Sequence, residues 1–118
     1  MRMRMAIKIY FLDDETDILD IFKETFSSKD FIISTFNNPN DLIETSKVNK
    51  PDLFFLDNKL PHFTADIISK ELDPNIPKAI ITADVNFKFE MNYIAIFGKP
   101  YINEEILNFM KKFNTSVE

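Results

Sequence analysis

The chain has no cysteine and a single glycine, Gly98, in 118 residues. Without cysteine there is no disulfide framework and no thiolate metal site. With so little glycine, other residues must make the left-handed turns. Asp30 and Asn58 are the expected substitutes, because short polar side chains tolerate that conformation best. There is no basic excess either: 14 Lys and Arg against 19 Asp and Glu leave a net charge of −5. That argues against direct nucleic-acid binding, which needs a basic face to displace counterions. No segment approaches the roughly 20 consecutive apolar residues of a membrane span, so membrane insertion is not expected. The opening MRMRMAIKIYFLDD sets basic residues before an apolar run. The run is short, contains Lys8 and ends on two acids with no small-residue cleavage site, so it is not read as a signal peptide. A cytoplasmic location is the expectation.

What is present points to a packed globule. Hydrophobic residues make up 45% of the chain and 13 are Phe, enough for one domain, residues 1–118, around a single core. Segments 6–12, 31–36 and 53–56 are dense in β-branched or aromatic residues and bounded by turn signals, and 78–82 and 93–97 are shorter versions of the same pattern. Helical spacing lies between them. Ile18, Leu19, Ile21, Phe22 and Phe26 form an apolar stripe, with acids crowding the N-terminal end at residues 13–17. Leu42, Ile43 and Val48 mark a second helix opened by Asn38-Pro39-Asn40. Ile67, Ile68 and Leu72 mark a third that ends before Pro74. A last helix runs through Ile102, Ile106, Leu107, Phe109, Met110 and Phe113, with Asn103 as its cap. Segment 84–92 has no clear stripe and poor helix formers, so a short or frayed helix is expected there. Repeated strand–helix alternation with almost continuously apolar central strands implies an α/β fold with a parallel sheet covered on both faces.

The stretch LFFLDNKLP, residues 53–61, interrupts an apolar strand with a carboxylate. An unpaired carboxylate beside a buried strand offsets much of the about 1.5–3 kcal/mol gained per large apolar side chain. In an open parallel sheet, ligands bind at the carboxyl ends of the strands. Asp13 and Asp14 follow the first strand, Asp57 ends the third, Thr82 ends the fourth, and Lys99 follows the fifth. All five fall on one edge. Three carboxylates gathered there repel one another, and a divalent cation with oxygen ligands, Mg²⁺ by preference, removes the conflict. Lys99 and the Thr82 hydroxyl would complete a site for phosphoryl oxygens, with Asp57 as nucleophile. Each feature alone has a plainer explanation. An Asp-Asp pair caps helices, and a strand-end Asp often just enters a loop. The five in this order are harder to explain that way. His62 reads as an exposed loop residue, and Phe87 and Phe89 as candidates for a partner surface if exposed.

In these residues the chain resembles the receiver domain of two-component response regulators over essentially its whole length. Asp13 and Asp14 resemble that family's metal-binding acid pair. Asp57, with Pro61 following in LDNKLP, is similar to its phosphoaccepting motif. Thr82-Ala83 is similar to its hydroxyl and small residue, and Lys99-Pro100 to its Lys and cis-proline. The resemblance implies a flavodoxin-like doubly wound (βα)5 fold with strand order 2-1-3-4-5. It implies a phosphoryl group taken from a histidine kinase or phosphotransfer protein onto Asp57 with Mg²⁺ bound. Asp14, Asp57 and the Lys59 backbone carbonyl would ligate the metal directly, with Asp13 acting through water. Such a domain is not an enzyme but a phosphoacceptor that catalyses its own modification and loses the group by autodephosphorylation, here expected to be slow.

The chain departs from the family's pattern in three places. Ile96 stands where an aromatic switch residue is usual, and Ala65 stands where a glycine is common. The connection from Thr82 to Lys99 is short, at the expense of the fourth helix. The expected reading is a stand-alone receiver that changes its binding to a downstream protein target. If it pairs as a homodimer, a face other than the family's usual one is expected. Two alternatives stand beside this. One is a receiver-like module that binds its partner regardless of phosphorylation. The other is a small aspartyl-phosphate hydrolase, disfavoured because position 59 is Lys rather than a second Asp and no cap insertion is present. Lys59 and Asp84 flank the approach to Asp57 and are expected to meet as an ion pair, with the lysine stem shielding the phosphorus from water.

Overall fold

The computed structural model describes residues 6–116; the basic opening at residues 1–5 and the last two residues lie outside it. Nine elements follow in order: β1 (Ile7–Leu12), α1 (Thr16–Phe26), β2 (Phe31–Phe36), α2 (Pro39–Val48), β3 (Leu53–Asp57), α3 (Ala65–Ser69), β4 (Lys78–Thr82), β5 (Ala95–Gly98) and α4 (Asn103–Ser116). The strands make one sheet, ordered β2-β1-β3-β4-β5 and parallel at all four pairings. Leu12 pairs with both Phe36 and Leu56, and Thr82 pairs with Gly98, so the strands finish level along one edge.

Two apolar layers clamp the sheet, as continuous apolar strands demand. On one face Phe11, Phe55 and Ile81 meet Leu19, Phe22 and Phe26 of α1 and Ile106 and Met110 of α4. Ring centroids of Phe11 and Phe22 stand 4.4 Å apart, and those of Phe22 and Phe55 5.5 Å, in the range where tilted aromatic pairs attract. The other face packs Tyr10, Phe54, Leu56 and Ile80 against Leu42 of α2 and Ala65 and Ile68 of α3. Ile21, expected in the stripe of α1, points outward and is 58% exposed.

Side-chain caps set the starts of α2 and α3, but not those of α1, where Glu15 makes no cap bond, and α4. Asn38 caps α2, its side-chain oxygen accepting from the backbone N–H groups of Asn40 and Asp41, and Pro39 takes the first turn. Asn103 is not a cap. It is already helical, and the carbonyl of Ile102 receives the first backbone bonds of α4, from Glu105 and Ile106.

Segment 84–92 goes to the degenerate limit of the expectation. It holds no helix, only a turn in which the Phe87 amide donates to the Asp84 carbonyl at 3.3 Å. The described residues therefore form four helices rather than five. The left-handed turn residues also differ from expectation. Among the described residues the only positive φ belongs to His62, at 69°, and neither Asp30 nor Asn58 adopts one. Leu60 and Phe63 exchange backbone hydrogen bonds across Pro61-His62. Proline at the second position suits type I and type II turns alike, and the positive angle of His62 at the third fits the type II pattern.

Candidate functional site

The level strand ends place the chemistry. Asp13 and Asp14 leave β1, and Asp57 closes β3, one oxygen from each lying within 4.8 Å of the others. Asp13 and Asp57 are buried, while Asp14 is exposed. Lys99 reaches back from the end of β5, its Nζ 2.7 Å from Asp13 Oδ2 and 3.4 Å from Asp57 Oδ1. The lysine therefore belongs first to Asp13, and Asp57 is less well compensated. Burial, then the charge of Asp13, push the Asp57 carboxyl up to about 6. Lys99 and the backbone N–H of Lys59 pull the other way without cancelling the rise. Burial alone would push the Lys99 ammonium down, but its bond to Asp13 and the charges of both acids outweigh that and leave its pKa raised.

Thr82 is fully buried at the end of β4, one residue past the register partner of Asp57. Its hydroxyl oxygen accepts from the Asp84 amide at 3.1 Å, and its carbonyl accepts from the Lys99 amide at 2.8 Å. The hydroxyl proton is thus left for another acceptor. The Lys99-Pro100 peptide is cis. Asp13, Asp14, Asp57, Thr82 and Lys99 accordingly share one edge, with all-oxygen donors for a hard cation beside a fixed ammonium.

Lys59 contributes its backbone amide to Asp57, and its side chain is exposed. The expected ion pair with Asp84 does not form among the described residues; the Asp84 carboxylate instead accepts from the Asn86 amide at 3.1 Å. That short-range bond turns Asp84 back into its own loop. Asn58, expected in a turn, has another task. It is 1% exposed, and its Oδ1 accepts from the Ala65 amide at 3.1 Å, closing the loop that follows Asp57. Its Nδ2 has no hydrogen-bond partner among the described residues. An Asn beside a strand end looks like a turn former, and nothing local marks it as a buried tie between residues 58 and 65.

No family model matches the sequence. Sporulation initiation phosphotransferase F of Bacillus subtilis (strain 168) is 31% identical to it over 119 residues, covering 92% of this chain and 94% of that protein. Among solved structures, the receiver domain of a Francisella response regulator superposes with a TM-score of 0.81 at 14% identity, covering 96% of this chain and all of that one. The signal receiver domain of an HD-domain-containing protein from Pseudomonas fluorescens Pf-5 gives a TM-score of 0.82 at 16% identity, over 91% of this chain and 93% of that one. The two structures share the fold: the same five-stranded parallel arrangement whose strand ends carry the acids here. The identity to the Bacillus protein runs nearly end to end in both sequences, and on that ground the chain belongs to the receiver domains of two-component response regulators.

Proposed function

We propose that Asp57 takes a phosphoryl group from the phosphohistidine of a sensor histidine kinase or a phosphotransfer protein, and that the modified domain changes its binding to a downstream protein. The observation that carries this reading is a buried, undercompensated carboxylate at a strand end, 3.4 Å from the ammonium of Lys99. An Asp57 oxygen attacks phosphorus in line with the P–N bond. The O–P bond forms as the N–P bond breaks, and the imidazole leaves with its electron pair. Lys99 sits within reach of Asp57 and of the oxygens arriving beside it, and Thr82 has its hydroxyl proton to donate to one of them. The carboxylate is consumed in each turnover, so the domain is a phosphoacceptor rather than an enzyme.

The donor set fits Mg²⁺: three carboxylates with oxygens within 4.8 Å and no softer ligand. Asp13, Asp14 and Asp57, with the Lys59 backbone carbonyl, would hold it. When bound, it neutralises the acids and the incoming phosphoryl oxygens. We take residues 1–118 as one receiver domain acting in the cytoplasm; no helix among the described residues is long and apolar enough to cross a membrane. Autodephosphorylation is slow on this reading, with the exposed Lys59 stem alone shielding the phosphorus. Pairing as a homodimer would use a face altered by the missing helix.

Intact mass after incubation with acetyl phosphate and Mg²⁺ tests the reading. The expected result is one phosphate adduct in the wild type, lost with chelator and lost in Asp57→Asn. A full adduct on that variant refutes it. One observation favours the second reading, binding regardless of phosphorylation. Ile96 is 46% exposed at the usual aromatic position and has no hydroxyl to turn inward. Equal partner affinity before and after phosphorylation would establish that alternative.

A further inference from the structure

The connection from β4 to β5 has no helix, yet both its ends are fastened. At the site end, the Asp84 amide donates to the Thr82 hydroxyl at 3.1 Å. Val85 lies so close over Gly98 that a Cβ there would meet its Cγ1 at 3.2 Å. At the far end stands Asp66 of α3, only 7% exposed. Its carboxylate accepts from the Glu90 amide at 2.7 Å, the Met91 amide at 3.2 Å and the Tyr93 hydroxyl at 2.8 Å. The Tyr93 and Ser69 hydroxyls lie 3.1 Å apart. Between the two ends, Phe89 stacks edge-on to Tyr93 and tilts against Phe87.

A buried carboxylate is costly unless something compensates its charge. Among the described residues no lysine or arginine pairs with Asp66; two backbone amides and a phenol do so instead. Glu90 and Met91 donate through backbone amides that a helix would have bonded internally. Asp66 thus takes over the hydrogen bonding of the missing helix, and it does so from a different element.

We propose that residues 84–93 form a strap running from Thr82 to Asp66, and that Asp66 is a positioning residue coupling the phosphoryl site to the exposed surface of Val85, Ile94 and Ile96. The inference rests on the reading of Asp57 as phosphoacceptor. The Thr82 hydroxyl is the shared element. When it turns toward a phosphoryl oxygen, the Asp84 amide must follow it or lose its acceptor. Because the far end is held on α3, the strap cannot drift as a whole. It pivots at Asp66 and carries Val85 across Gly98. By linkage, the anchor biases the site as much as the site biases the anchor.

The test is amide hydrogen exchange of the full chain with Mg²⁺, with and without beryllofluoride as phosphoryl mimic. In the wild type, exchange at residues 84–87 should change by about threefold or more on adding the mimic, with Glu90 and Met91 protected in both states. In Asp66→Asn the new NH₂ faces an N–H donor. Exchange at Glu90 and Met91 should then rise by about tenfold, the response of residues 84–87 should disappear, and the apparent affinity for beryllofluoride should shift. An intact wild-type response in Asp66→Asn overturns the proposal. If that variant does not fold, Tyr93→Phe, which removes one hydroxyl, must weaken the response, and a wild-type response there overturns it equally. Changed exchange at residues 57–59 with a silent strap refutes the strap alone. No change anywhere refutes the phosphoacceptor reading and the strap with it.

Discussion

Replacing Asp57 with asparagine should stabilise the metal-free domain at neutral pH, and the gain should vanish in acid. The carboxyl is 4% exposed, and burial followed by the charge of Asp13 raises it from 3.8 to about 6. Because the folded value is the higher one, the folded state holds the proton more tightly. Below the unfolded value Asp57 is neutral in both states and costs nothing. The cost grows as pH rises through the window from 3.8 to about 6 and is complete above it. At about 1.4 kcal/mol per pH unit, the window corresponds to about 3 kcal/mol at neutral pH. Asparagine imitates the protonated acid, but its amide hydrogens also need partners, so the net gain should be about 1–3 kcal/mol. Against a total stability of about 5–15 kcal/mol this is large. Urea denaturation in EDTA should show the midpoint of Asp57→Asn raised by roughly 1 M near neutral pH, for a slope of about 2 kcal/mol/M. The two proteins should converge below about pH 3, where Asp57 is neutral in both the folded and the unfolded state. Adding Mg²⁺ should also narrow the gap, by stabilising only the wild type. A variant that is no more stable at neutral pH, or a gain that does not change with pH, would refute the reasoning.

His62→Gly should raise the thermal midpoint. The left-handed φ of 69° costs an L-residue about 1–2 kcal/mol, and the added freedom of glycine in the unfolded chain returns part of it, leaving a gain of about 0.5–1 kcal/mol. A lower midpoint by calorimetry would mean that the imidazole makes up for its backbone. Lys78→Met should lower stability by about 1–3 kcal/mol, because the buried ammonium donates to the carbonyls of Asp73 and Ile76 at 2.9 and 2.8 Å and methionine leaves both unserved. An unchanged urea midpoint would mean that water takes over both bonds.

Much of the fold could be read from the sequence because its signals are local. Apolar runs such as 53–56 and capped stripes such as Asn38-Pro39 followed by Leu42 report strand and helix without reference to partners. The strand-end rule then brought Asp13, Asp14, Asp57, Thr82 and Lys99 to one edge. What escaped depended on distant partners. Asp66 reads as a polar residue on a short helix, and its role appears only when residues 90–93, far along the chain, fold onto it. Asn58, expected in a left-handed turn, and His62, read as a plain loop residue, show that turn chemistry alone does not say where the positive φ falls. Asn58 was taken up by the Ala65 amide, and the turn at Pro61 fell to His62. The Lys59–Asp84 pair failed for the opposite reason, a nearer partner for Asp84 in Asn86.

The strand order bears on how the chain assembles during synthesis. β1 pairs with β2 on one side and β3 on the other, so the middle of the sheet is complete within the first half of the sequence. β4 and then β5 add outward at a single edge, each onto a strand already formed. N-terminal segments emerge first, so this order lets the sheet grow by accretion, with no strand waiting for a later one to separate it from its neighbour. The last addition closes a short loop over residues 83–94, and because that loop does not have to build a helix, its closure entropy is the main cost of seating β5. A nascent chain halted after β3 would therefore have its first three strands available to pair, with the β3 edge open and the cover of α3 and α4 still to come, and β5 would be the last strand to gain protection and the first to lose it.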